Sequence, residues 1–228
     1  MIEQGYRVTF RAPGDNTPAI KEYDAPNFDH VIVFAPHTKS TFCRDAFYLA
    51  QSNHSISDFS PDITPQSLVS VLEKGTNLLL ALSQKQNLVN SLASEFSLIL
   101  PPPQTPLVSH FPEREEPATV IPVTPQPNVV VSANLAPVWF SGIPSALGSN
   151  PLLFPILRAP PESFASDATA DSGADSVLEA ADRGGEGLWA GSSLSLVTGF
   201  QTRNGARATW VGGVEFFSDD FAKKRAPG

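Results

Sequence analysis

The sequence predicts an α/β fold, in which a mainly parallel sheet has helices on both faces and a hairpin follows at the C-terminal end. Two observations support this prediction. Stretches rich in β-branched residues alternate with amphipathic helical stretches in the first half of the 228-residue chain. Residues 29–36 and 78–83 are continuous apolar runs, which are typical of strands buried on both faces of a parallel sheet. We assign residues 1–222 to a single domain.

The first half contains the clearest strands and helices. Residues 7–10 are a short strand candidate, and residues 29–36 are a stronger one that ends at a proline. Thr64 can cap a helix that begins at Pro65, and Gly75 can end that helix in the left-handed conformation. Residues 78–83 form the next strand. The apolar residues of 87–96 lie on one side of a second helix: Leu88, Val89, Leu92 and Phe96.

The second half is less regular until the C-terminal region. Nine prolines among residues 101–127 indicate a connection without regular helix, and residues 128–133 are a further strand candidate. Residues 161–186 are acidic and poor in large apolar side chains, so we expect a disordered loop. Residues 193–202 and 206–217 are strand-like on either side of an Asn-Gly pair, which predicts a hairpin at the edge of the sheet.

Composition excludes several classes of partner. The net charge of −8 disfavours nucleic acid and anionic membrane surfaces as partners. The longest aliphatic run, residues 78–82, is far shorter than the roughly 20 residues needed to cross a bilayer. No N-terminal signal sequence is evident, and residues 223–228 read as a truncated tail. The single cysteine, Cys43, cannot form an internal disulfide.

No catalytic, cofactor-binding or metal-binding residues are predicted. None of the four histidines, His30, His37, His54 and His110, has the spacing of a metal ligand set. Residues 184–187 are glycine-rich, but they do not follow a strand and they lie among acidic residues, so they do not suit a phosphate. The sequence also lacks a nucleophile elbow, and nothing places a base beside Cys43.

Two further features suggest a chemical role or a modification. Asp219 and Asp220 could act as a pair of catalytic carboxylates, but Ser218 or Asp219 more simply caps a helix starting at Asp220. Asn53 begins the only acceptor sequon and is a possible glycosylation site if the chain enters the secretory pathway.

Several segments together resemble one family. Residues 199–207 read GFQTRNGAR and residues 212–219 read GGVEFFSD; residues 142–160 and 108–111 add further matches. They resemble the forty-eight-kilodalton, non-catalytic subunits of the oligosaccharyltransferase complex, especially the fungal members. That family has a Gln-x-Arg-Asn-x-Ala-Arg turn followed by a strand that ends in Phe-Ser-Asp. Residues 41–56 look inserted relative to it, and Ser109 stands where an aspartate is usual.

The resemblance implies a fold, a function and partners. It implies a three-layer fold of the flavodoxin or amidotransferase-like kind, without cofactor. The expected function is to support transfer of a lipid-linked oligosaccharide to asparagine in N-glycosylation, on the luminal side of the endoplasmic reticulum membrane. The catalytic site would belong to a multispanning subunit, and a ribophorin-like subunit and a small membrane subunit would be further partners. Membrane contact would come only through a C-terminal segment that this chain lacks.

Two alternatives remain open at this point. The chain could be an amidotransferase- or hydrolase-like enzyme on the same fold class, or a soluble fragment without a function of its own. For the residues on which the family motif falls we predict structural roles. Asn204 and Gly205 would supply positive φ angles in the turn, and the arginine side chains would bond neighbouring carbonyls. These motif residues are Gln201, Arg203, Asn204, Arg207, Ser218 and Asp219.

Overall fold

The computed structural model describes residues 5–12, 15, 17–34, 63–82, 88–101, 105–113, 116–166 and 188–223. Strands dominate these residues. The strands, in chain order, are β1 (Lys21–Glu22), β2 (Ala25–Pro26), β3 (His30–Phe34), β4 (Asn77–Ala81), β5 (Leu98–Ile99), β6 (Val108–Ser109), β7 (Ile121–Val123), β8 (Val138–Phe140), β9 (Ala146–Leu147), β10 (Leu153–Arg158), β11 (Ser163–Ser166), β12 (Leu188–Ala190), β13 (Ser195–Gln201) and β14 (Arg207–Val211). The helices are α1 (Pro65–Glu73), α2 (Leu88–Glu95) and α3 (Asp219–Lys223), with short 3₁₀ turns at Gly191–Ser193 and Val214–Phe217.

A five-stranded mixed sheet forms the centre, in the order β10–β13–β14–β4–β3. Strands β3, β4 and β14 run parallel to one another, whereas β10, β13 and β14 pair antiparallel. Four smaller antiparallel sheets surround it: β1–β2, β5–β9, β7–β8 and β12–β11–β6.

The prediction of a three-layer, mainly parallel, flavodoxin- or amidotransferase-like fold is therefore wrong. Within the described residues, the sheets are mixed or antiparallel and the helices are few. Helices α1 and α2 also pack into the same core cluster, so they do not lie on opposite faces. The physical reason lies in the hairpin β13–β14, which occupies the middle of the sheet and reverses the strand direction there. An apolar run indicates a buried strand, but it does not determine the direction of the neighbouring strand.

Three local predictions are also wrong. Residues 129–131 form a turn, in which the Asn128 side chain accepts the N–H groups of Val130 (2.9 Å) and Val131 (3.0 Å). Residues 7–10 are exposed and belong to no strand. The C-terminal hairpin is not at the sheet edge, because β14 lies between β13 and β4.

Helix α1 forms as the sequence predicts. The Thr64 hydroxyl accepts the Ser67 N–H (3.1 Å), and the Ser67 hydroxyl accepts the Thr64 N–H (2.8 Å), so the two residues form a capping box. Gly75 follows the helix with φ +104°, a conformation that favours glycine. Strands β3 and β4, helix α2 and the hairpin also occupy the predicted segments.

Two apolar clusters stabilise the fold. The first joins helices α1 and α2 to one face of the sheet and contains Leu78, Leu80, Ala208 and Trp210. The second packs strands β7 and β8 against the β10–β13 part of the sheet, with Phe140, Leu157, Val197 and Val211 among its members. The sheet is therefore covered differently on its two faces.

Two predicted irregular segments are only partly described. Within residues 101–127 the structure has the short strands β6 and β7. At the start of residues 161–186 it has strand β11, which pairs with β6 and β12; residues 167–186 lie outside the described part. Among the described helices, none combines the length and the apolar character needed to span a bilayer.

Candidate functional site

The turn between β13 and β14 carries most of the family-like motif. The Thr202 N–H donates to the Ala206 carbonyl (2.8 Å), and the Gly205 N–H donates to the Thr202 carbonyl (3.1 Å). Gly205 has φ +87°, but Asn204 is not among the residues with positive φ. The turn therefore needs the left-handed conformation only at its glycine, and the prediction that both residues adopt it is wrong.

Asn204 instead uses its side chain to tie the turn to helix α1. Its Nδ2 donates to the Glu73 carbonyl (2.7 Å) and, more weakly, to the Leu72 carbonyl (3.4 Å). Its Oδ1 accepts the Ala206 N–H (3.1 Å) and the Thr202 hydroxyl. The last carbonyls of a helix have no partner within the helix, so Asn204 supplies a donor to them.

Asn77, which sequence analysis did not single out, joins the starts of three parallel strands. Its Oδ1 accepts the Arg207 N–H (2.9 Å), and its Nδ2 lies 3.2 Å from His30 Nδ1. The His30 ring also makes an edge contact with Tyr6, with ring centroids 6.3 Å apart. In the sequence, this role could have been recognised from the position of Asn77, a polar residue directly before the apolar run of residues 78–82.

The side chains of Gln201, Arg203 and Arg207 are exposed. The expected bonds from the arginines to neighbouring carbonyls do not occur among the described residues. In that part of the chain the ion pairs are Lys21–Asp24 (3.5 Å) and Lys223–Asp219 (2.8 Å), and neither involves these arginines. Two cationic side chains therefore project into solvent beside the turn.

A glycine contact joins two further segments of the resemblance. The Ile143 N–H donates to the Gly212 carbonyl (2.8 Å), and the Leu107 N–H donates to the Gly142 carbonyl (2.8 Å). A Cβ atom at Gly212 would overlap the Ile143 carbonyl oxygen, and one at Gly142 would overlap Gly212. The two backbones can approach this closely only because these positions lack side chains.

Ser218 and Asp219 start helix α3. The Ser218 carbonyl accepts the Ala222 N–H (3.0 Å), and its hydroxyl lies 3.4 Å from the Phe221 nitrogen that donates to it. Asp219 pairs with Lys223 one turn later. Both Asp219 and Asp220 are exposed, and the arrangement is that of a capped helix rather than a shared carboxylate site.

The described residues contain no group of three or more His, Cys, Asp or Glu that could hold a metal ion. His110 stacks on Phe164, with ring centroids 5.9 Å apart, and His30 contacts Asn77. Cys43, His37, His54 and Asn53 lie outside the described residues. Among the motif residues, Asn204 and Arg207 thus lie at the hairpin turn and the start of β14, whereas Ser218 and Asp219 follow the opposite end of β14 and start helix α3.

Comparison with known proteins identifies the family. The family described as OST48, N-terminal domain, matches residues 1–228. The chain belongs to the OST48 N-terminal domain family. It is 24% identical over 220 residues to oligosaccharyltransferase subunit wbp1 of Schizosaccharomyces pombe, covering 93% of this chain and 44% of that protein. It is also 24% identical over 233 residues to the 48 kDa subunit of Danio rerio, with 97% and 46% covered. Against the Caenorhabditis elegans 48 kDa subunit the identity is 25% over 231 residues, with 96% and 45% covered.

The chain spans less than half the length of these OST48 relatives. Within this OST48 N-terminal domain, the segments that carried the resemblance meet in space. Gly142 contacts Gly212, and Asn204 connects the hairpin to the end of helix α1. The resemblance therefore falls on residues that position the central sheet.

Proposed function

We propose that this chain is a non-catalytic part of an oligosaccharyltransferase complex. In this role it supports the transfer of a lipid-linked oligosaccharide to asparagine. The observation that carries the proposal is the match of the OST48 N-terminal domain family to all 228 residues. Its relatives in a fungus and two animals are named as subunits of that glycosyltransferase.

The geometry of the motif residues supports a structural role over a catalytic one. Asn204 donates to backbone carbonyls, Ser218 caps a helix, and Asp219 pairs with Lys223. A nucleophilic mechanism would need a nucleophile with an oriented base, and the described residues do not assemble such a pair. The amidotransferase- or hydrolase-like alternative has no corresponding observation in its favour.

The proposal also states where the chain lies in the cell and which subunits it contacts. The chain would lie on the luminal side of the endoplasmic reticulum membrane, beside a multispanning catalytic subunit, a ribophorin-like subunit and a small membrane subunit. In that compartment Asn53 would be a glycosylation acceptor. A gel shift that endoglycosidase removes, and that Asn53→Gln abolishes, would support both the location and the modification.

Affinity purification tests the function directly. The complete polypeptide, tagged and expressed from its own gene, is purified from detergent-solubilised membranes, and co-purifying proteins are identified by mass spectrometry. We expect the oligosaccharyltransferase subunits to be recovered together with transfer activity on an acceptor peptide. Recovery of well-expressed polypeptide without those subunits would overturn the proposal. Transfer activity of the polypeptide after the other subunits are removed would overturn its non-catalytic role.

A further inference from the structure

The turn between β13 and β14 contains a chemically reactive pair of residues. Among the asparagines of the chain, Asn204 alone is followed by a glycine. The backbone nitrogen of Gly205 can attack the side-chain amide carbon of Asn204, because a glycine has no Cβ atom to hinder the approach. Both residues are exposed, so water can reach the site. The turn therefore holds both reactants of a deamidation.

The reaction needs no reagent other than water. The Gly205 nitrogen gives up its proton and forms a bond to Asn204 Cγ, the bond from Cγ to Nδ2 breaks, and Nδ2 takes up a proton and leaves as ammonia. Water then adds to one carbonyl carbon of the resulting succinimide ring and opens it. The product is aspartate or isoaspartate at position 204, and no atom is oxidised or reduced.

In the folded domain, hydrogen bonds hold the groups that must react. The Gly205 N–H donates to the Thr202 carbonyl (3.1 Å), and it must leave that carbonyl before a base can remove its proton, as in amide hydrogen exchange. Asn204 Nδ2 donates to the Glu73 carbonyl (2.7 Å), and Oδ1 accepts the Ala206 N–H (3.1 Å). These bonds oppose the rotation that brings the side chain over the Gly205 nitrogen. The reaction therefore requires the turn to open.

The product cannot restore the contact between the turn and helix α1. The amide of Asn204 donates to the Glu73 and Leu72 carbonyls, whereas an ionised carboxylate can only accept. Its oxygens would face carbonyl oxygens at the C-terminal end of the helix, where negative charge is unfavourable. Isoaspartate also adds a backbone atom to the turn that the Gln201–Arg207 pair closes. Conversion therefore separates the hairpin from the helix.

We propose that Asn204 is a deamidation site that the native fold protects and whose product prevents the hairpin from rejoining helix α1. Both parts have the same cause, because the bonds that hold the Asn204 amide in place are the bonds that its carboxylate product cannot form. A polypeptide that stays unfolded is thus converted into one that folds poorly, and its unfolding becomes irreversible with time. The inference concerns this chain alone and is independent of its role in a complex.

Peptide mapping tests the protection. The complete purified polypeptide is incubated at neutral pH in native buffer and in denaturant, and a cooperative unfolding transition verifies that the native sample is folded. Chymotrypsin cleaves after Phe200 and Trp210 and releases the peptide that carries position 204. Mass spectrometry and an isoaspartate assay measure conversion. We expect conversion in denaturant to be faster by roughly tenfold or more. Equal rates in the two samples, or no conversion in denaturant, overturn the proposal.

Gly205→Ala is the matched control for the chemistry. It keeps Asn204 but places a Cβ atom beside the attacking nitrogen, and in denaturant its folded-state strain at φ +87° has no influence. We expect this variant to convert several times more slowly than wild type in denaturant. Asn134, which precedes Leu135, is an internal reference that should also convert more slowly. Conversion of Gly205→Ala at the wild-type rate contradicts attack by the Gly205 nitrogen.

Melting temperatures test the effect of the product. Asn204→Asp and Asn204→Ala both remove the donor to the Glu73 carbonyl, but only the aspartate adds a negative charge at the end of the helix. Asn204→Asp should therefore melt at a lower temperature than Asn204→Ala, and failure of the aspartate variant alone to fold has the same meaning. A melting temperature for Asn204→Asp at or above that of Asn204→Ala overturns this part of the proposal.

Refolding tests irreversibility with the natural product. Wild-type polypeptide is kept in denaturant for increasing times and then diluted into native buffer. We expect the folded yield to fall as conversion at position 204 rises, and the folded fraction to be enriched in unmodified Asn204. An equal share of modified residue 204 in the folded and unfolded fractions contradicts the proposal. If the polypeptide does not refold even at the shortest time, the melting temperatures decide.

Discussion

Asn204 determines how firmly the hairpin turn is joined to helix α1. Replacing it with alanine removes the donor to the Glu73 carbonyl (2.7 Å) and the acceptor for the Ala206 N–H (3.1 Å). Because a typical hydrogen bond contributes a net of about 0.5–1.5 kcal/mol, we expect the loss of these two bonds in Asn204→Ala to lower the free energy of unfolding by about 1–3 kcal/mol. Chemical denaturation of the purified polypeptide measures this change.

The neighbouring arginines are the matched control for that measurement. From the sequence, Arg203 and Arg207 were expected to bond nearby carbonyls, which would make both important for stability. Their exposed side chains make no such bond among the described residues. We now expect Arg203→Ala to change stability by no more than about 0.5 kcal/mol. A loss from Arg203→Ala as large as that from Asn204→Ala would contradict this assignment.

Gly212 permits a backbone approach that no other residue would allow. A Cβ atom there would overlap the Ile143 carbonyl, whereas at Gly205 it would meet open space. Gly205→Ala should therefore cost only the strain of its positive φ, about 1–2 kcal/mol. Gly212→Ala must displace the backbone and should cost more, so its melting temperature should be the lower of the two. A melting temperature for Gly212→Ala at or above that of Gly205→Ala would refute the close contact.

At the level of elements, the start of helix α1 is specified by its own sequence. The capping box joins Thr64 and Ser67 through bonds of 3.1 and 2.8 Å. Thr64→Ala removes the side-chain acceptor, so we expect a loss of about 1 kcal/mol in unfolding free energy. Thr64→Ser keeps the hydroxyl and serves as the control. Equal stability of the alanine and serine variants would show that the cap does not contribute.

Local signals explain which elements could be predicted from the sequence. Capping, turn glycines and apolar runs act within a few residues, and they correctly located β3, β4, α1, α2 and the hairpin. The position of the hairpin in the sheet depends on contacts between β14 and β4, about 130 residues apart in sequence. No local pattern encodes that pairing, and the parallel fold was therefore wrongly predicted.

In the candidate site, too, local features could be predicted from the sequence, whereas contacts between distant residues could not. The sequence predicted a helix start with Ser218 or Asp219 as its cap, and the structure has that helix at Asp219–Lys223 with Ser218 as the cap. It could not show that Asn204 would reach the Glu73 carbonyl or that Asn77 would receive the Arg207 N–H. These bonds exist only once the hairpin has entered the sheet. The sequence shows that Asn204 and Asn77 can donate and accept hydrogen bonds, but the groups that they bond are determined by the tertiary structure.

For the whole molecule, the strand order predicts a gradient of local stability across the central sheet. Strand β14 is paired on both sides, by β13 and β4, and its Ala208 and Trp210 are fully buried against the helices. Strand β3 is paired only with β4 among the described residues, and its Ile32 and Phe34 are exposed. Opening β3 therefore disrupts fewer bonds and exposes less apolar surface than opening β14.

Amide hydrogen exchange of the isolated polypeptide tests this gradient. In β14 successive amides bond alternately to β13 and β4, so exchange should be slow throughout residues 208–211. In β3 alternate amides point away from β4, and no described strand pairs with them, so every second residue of 31–34 should exchange faster by an order of magnitude or more. Uniformly slow exchange in β3, equal to that in β14, would mean that its edge is already paired.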